Sequence, residues 1–97
     1  MTWQSAQYAA NQLFPALLER VELMEEMSGK PSVIPISIYE TDHDLATLRP
    51  EDGGKWSAAF HAMVMRALAR KLREKGFRCK LVMLNAAAYL RWLAKDG

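Results

Sequence analysis

The densest run of chemically capable side chains is Glu40-Thr41-Asp42-His43-Asp44, with Glu51 and Asp52 a short way downstream. Carboxylate oxygens beside one imidazole suit a hard or borderline divalent cation. Neighbouring residues of a single loop seldom converge on one ion without a second segment, and this spacing matches no specific metal motif. The stretch therefore reads first as a solvated polar turn, and second as a ligand loop made by Asp42, His43 and Asp44. Asn85 joins that second reading if the two expected strands run parallel, because their carboxyl ends then share one edge. Ligands of open α/β sheets favour that edge, and a helix starting after Asn85 would offer free N–H groups to an anion.

Two single residues invite chemistry on weaker grounds. His61 sits between Phe60 and Ala62 in an apolar segment. A general base needs a nucleophile or carboxylate within hydrogen-bond reach, and the sequence assigns none, so a packed histidine is expected. Cys79 is flanked by Arg78 and Lys80, which would favour a thiolate. In a strand those neighbours point to the opposite face, however, leaving Cys79 with Leu81 and Met83 as core. No glycine-rich phosphate loop, nucleophile elbow or paired-histidine zinc motif occurs. No catalytic residue, metal site or cofactor is assigned.

Charge forms the other candidate surface. Residues 1–54 hold three basic and nine acidic groups, a net of −6; residues 55–97 hold ten basic and two acidic, a net of +8. Arg66, Arg70 and Arg73 recur at spacings of four and three and so form one helical stripe. Glu19, Glu22, Glu25 and Glu26 lie near the C-terminal end of an earlier helix, where their sign opposes the helix dipole. Glu22 and Glu26 also repel each other one turn apart. Arginines brought near these glutamates would relieve both problems, so Glu22 and Glu26 are expected to pair with Arg66, Arg70 and Arg73 within the fold or between subunits. The rival use of the stripe is phosphate binding. Aromatic residues are not interleaved with it, and no base-reading module accompanies it.

The elements that must position these groups follow from periodicity. Residues 3–28 read as a helix with an apolar face of Leu13, Leu17, Val21, Met24 and Met27, a kink or break expected at Pro15, and a stop at Ser28-Gly29 with Pro31 beyond. Residues 33–39 read as a strand with Ile34, Ile36 and Ile38 inward, and Pro35 confines it to a sheet edge or bulge. Thr41 with Asp44 suggests a capped helical turn through Leu48. Residues 55–75 form the clearest helix, with Trp56, Phe60, Val64, Leu68 and Leu72 as contacts and Gly76 as its end. Arg78 to Leu84 is β-like, and Asn85 caps a last helix, Ala86 to Lys95, with Tyr89, Leu90, Trp92 and Leu93 on its apolar face. The order α-β-α-β-α, with a crossover helix, gives a helix-rich α/β domain, or α+β if the strands prove antiparallel. Two strands make a poor sheet and leave unpaired edges.

Composition narrows the function classes. The chain has 97 residues, 51% hydrophobic and 25% charged, a net charge of +2 and one cysteine. Those values fit one ordinary globular domain, 1–97, and exclude a disordered chain or a disulfide framework. No apolar run approaches the ~20 residues of a membrane span. Met1 to Phe14 lacks a basic start and apolar stretch, so a cytoplasmic setting is the default expectation. Met24, Met27, Met63, Met65 and Met83 with Trp3, Trp56 and Trp92 could form a soft protein-binding surface, though most are expected in the core. A hydrophobic content of 51% in 97 residues exceeds what a small core hides, which favours a subunit interface. The expected role is a non-enzymatic protein-interaction or assembly module acting as a homodimer or with a protein partner. A nucleic-acid partner for the arginine stripe is the alternative, and small-ligand or divalent-metal binding at the 40–44 loop is the third.

Overall fold

The computed structural model describes residues 2–29 and 33–96. Helix α1 spans Trp3–Ser28. Thr2 starts it by accepting the Ser5 N–H at 3.2 Å. Gly29 ends it at φ 81°, a left-handed backbone that suits glycine, with its N–H on the Glu25 carbonyl. Pro31, expected to reinforce that stop, lies outside the described residues. At Pro15 the helix is unbroken, so the proline removes one N–H donor without ending the element.

Strands β1 (Ile34–Tyr39) and β2 (Cys79–Leu84) pair in parallel, with Ile34 opposite Cys79 and Tyr39 opposite Leu84. The fold is therefore α/β rather than α+β. Ile34 donates to the Arg78 carbonyl and Glu40 to that of Leu84. The even-numbered residues of β1 thus face β2, while Pro35, Ser37 and Tyr39 turn their backbone groups to the outer edge. Pro35 sits where its missing N–H costs no ladder bond. By the same alternation Cys79, Leu81 and Met83 aim their backbone groups away from β1.

Between the strands come α2 (Asp42–Leu48), the short α3 (Pro50–Gly53) and the central α4 (Ala58–Glu74); α5 (Ala86–Asp96) follows β2. Ala6 and Ala10 of α1 pack on Phe60, Val64, Ala67 and Leu68 of α4. Small side chains on α1 let the two backbones approach closely. Further along, Val21 joins Ile36, Ala69 and Leu72 in a second cluster. Ile36 and Ile38 are buried as their alternation requires. Met83 is not: although it alternates with Cys79 and Leu81, it is 60% exposed. The cause is the slant of α4. This helix begins beside the end of β1, where His61 meets Tyr39, and joins Cys79 and Leu81 only near its own end.

Candidate functional site

The parallel strands bring the 40–44 loop to the start of α5. Thr41 and Asp44 form a reciprocal capping box on α2. The Asp44 Oδ2 accepts the Thr41 hydroxyl at 2.7 Å and the Thr41 N–H at 3.1 Å. Its Oδ1 accepts the Ala86 N–H at 2.9 Å. One carboxylate thus serves the N-termini of two helices, α2 and α5. Asp42 serves a third: its Oδ1 accepts the Ala58 N–H of α4 at 2.7 Å. Asn85 donates to Glu40 at 2.9 Å and caps α5 by accepting the Ala88 N–H. The Ala86 N–H foremost, then the Thr41 hydroxyl, hold the Asp44 carboxyl below its ordinary pKa, against the opposing effect of burial. His43 is exposed beside this junction. Asp42, Asp44 and Asn85 therefore come together, and the anion at the α5 N-terminus is the protein's own Asp44. Among the described residues no group of three or more His, Cys, Asp or Glu is placed to hold a metal ion.

A second constellation is one that sequence reasoning did not assemble. A cleft of 320 Å³ lies between α1 and the outer edge of β1, walled by Arg20, Ser37, Tyr39, Arg49 and His61 together with apolar groups such as Leu17. His61 is 3% exposed and its Nδ1 finds no hydrogen-bond partner among the described residues. Its Nε2 lies 3.9 Å from Asp52, too far for a hydrogen bond. Burial, with help from Arg49, pushes the imidazole pKa down against the pull of Asp52, so the Asp52 contact joins a carboxylate to a neutral ring at pH 7. Tyr39 packs edge-on to that ring at 5.3 Å, and burial raises the Tyr39 pKa. Arg49 binds Glu51 at 3.0 Å and Asp52 at 3.3 Å. The available signal was compositional: Arg20 and Arg49 are two of only three cations in the acidic first 54 residues.

The arginine stripe lies on the surface, with Arg66, Arg70 and Arg73 all exposed. Arg70 stacks over the Trp3 ring at 5.6 Å. Arg73 donates to the Cys79 carbonyl at 3.1 Å. Among the described residues no ion pair within the chain joins them to Glu22 or Glu26; the Arg–carboxylate pairs present are those of Arg49. Cys79 is half-buried, and burial raises its pKa against the pull of Arg73, which keeps it a thiol.

Much of the apolar surface is open. On α5, Tyr89, Leu90, Trp92 and Leu93 are 39–58% exposed, and among the residues of that helix whose burial is described only Ala86 is buried. The backbone groups of Leu81 and Met83 on the outer edge of β2 have no partner among the described residues. No described helix is long and apolar enough to cross a membrane. In comparisons with known proteins, the chain matched no family model, no curated protein and no solved structure.

Proposed function

We propose that this chain is a non-enzymatic assembly module that acts as a cytoplasmic homodimer. The observation that carries this reading is the solvent-open apolar face of α5, together with the unpaired edge of β2. A second copy suits that surface because pairing is self-complementary. Two β2 strands meeting antiparallel across a two-fold axis would turn two weak two-stranded sheets into one of four strands. Tyr89, Leu90, Trp92 and Leu93 would bury their exposed area in the same contact. Glu22 and Glu26 of one copy would answer Arg66, Arg70 and Arg73 of the other, since neither set has an ion-pair partner among the described residues, and such pairs set register more than affinity. The test is mass in solution by light scattering at low and high salt. The expected value is twice the 11.0 kDa chain mass. Leu90→Glu combined with Trp92→Glu should give monomers with unchanged helicity, because neither side chain belongs to the core. A wild-type chain that stays monomeric at tens of micromolar overturns the proposal.

One observation favours a second reading, a nucleic-acid partner: among the described residues the three arginines of the stripe have no ion-pair partner. Phosphate contacts predict a linear fall of log affinity with log salt, with a slope of about −0.9 per phosphate contacted. Absence of any DNA or RNA retention at low salt ends that reading.

A further inference from the structure

We propose that the cleft between α1 and β1 is a binding site for a small organic carboxylate with a short apolar tail. Its volume of 320 Å³ lies at the lower end of small-molecule pockets. The inner wall is apolar and buried, with Ile36 at 7% and Leu68 at 4% exposure and Leu17 and Met65 beside them. A fully hydrated dianion gains nothing from such a wall, whereas an alkyl chain does. Two arginines line the cleft. Arg20 is exposed and has no ion-pair partner among the described residues, whereas Arg49 already pairs with Glu51 and Asp52, so the uncompensated charge on this wall is that of Arg20. Guanidinium groups suit a planar carboxylate because their paired N–H donors match its two oxygens. The strand edge adds further donors. Ser37 and Tyr39 turn their backbone N–H groups away from β2, on the side that lines the cleft. His61, buried in the wall with an unpartnered Nδ1, is a polar group that the fold itself leaves unsatisfied.

The experiment is an NMR titration of the whole chain with hexanoate, hexanol and inorganic phosphate as probes. Hexanoate should give saturable shifts centred on the amides of Leu17, Ser37 and Tyr39. Hexanol and phosphate should each bind about ten-fold more weakly or less, since each lacks one half of the recognition. Arg20→Gln should weaken hexanoate about ten-fold without moving the melting temperature, because Arg20 is exposed and unpaired. Ala16→Phe, at an exposed position on the same cleft, should block binding by filling it. The proposal is overturned if hexanoate produces no saturable shift, if hexanol or phosphate binds equally well, or if both variants bind like the wild type.

Discussion

His61 offers a sharp physical test, because its environment fixes the sign of a pH effect. The ring is 3% exposed, bounded by Tyr39 at 5.3 Å and Trp56 at 6.0 Å, and its folded pKa lies below the ordinary 6.5. In the unfolded chain the same imidazole titrates normally. As pH falls below about 6.5 the unfolded state therefore takes up a proton that the folded state refuses. Stability drops through that window and levels off once the folded ring also protonates. One proton of difference limits the slope to about 1.4 kcal/mol per pH unit. The perturbation is His61→Phe, which keeps an aromatic ring between Tyr39 and Trp56 and removes the titrating group. Urea denaturation followed by tryptophan fluorescence at pH 7.5, 6.5 and 5.5 gives the comparison. The wild-type-minus-variant difference removes the pH effects that do not involve His61. It should fall towards pH 5.5, within the limit of about 1.4 kcal/mol per pH unit that one proton sets. At pH 7.5 the variant should be at least as stable, since it no longer buries an unpaired Nδ1. Parallel pH profiles, or a wild type that gains on the variant as pH falls, would refute the reasoning.

Three further substitutions test the joints of the fold. Thr41→Ala removes the hydroxyl of the α2 capping box and should cost about 1 kcal/mol in a urea melt. Gly53→Ala would drive a Cβ into the Ala46 backbone and should destabilise by about 1–3 kcal/mol, seen as a lower melting temperature. Pro15→Ala, at an exposed site inside an unbroken helix, restores an N–H for the Asn11 carbonyl. It should raise both helicity and stability, by up to about 3 kcal/mol.

The elements were legible because each carries a local signal. Thr41 and Asp44 sit at capping-box spacing, Gly29 and Gly76 take the positive φ that ends a helix, and three isoleucines alternate along β1. Pro35 even announced which side of β1 lacks a partner. What stayed hidden depends on helices crossing at angles that periodicity does not encode. The apolar face of α5 has the pattern of a buried helix, yet Trp92 is 58% exposed. Met83 is exposed because α4 slants away from its end of β2. The Asp42–Asp44 loop was located correctly beside Asn85, but composition alone does not distinguish carboxylates that await an ion from carboxylates already bound to backbone N–H groups. The cleft drew on Arg20, Tyr39, Arg49 and His61, four residues from four separate segments, and no spacing rule joins them.

The two edges of the sheet have opposite fates, and this separates the two functional proposals physically. The edge of β1 is shielded by α1 across a cleft and carries Pro35, which cannot donate to an added strand. The edge of β2 has a single side-chain contact to its backbone among the described residues, the Arg73 bond to the Cys79 carbonyl. The backbone groups of Leu81 and Met83 remain open among the described residues. A second copy therefore meets an obstacle at β1 and a template at β2, whereas a small anion finds a walled space at β1. If that division holds, the double variant Leu90→Glu, Trp92→Glu changes mass in solution and leaves hexanoate binding intact. Arg20→Gln does the reverse. A variant that disturbed both would mean that the edges communicate through α4, which packs on both strands.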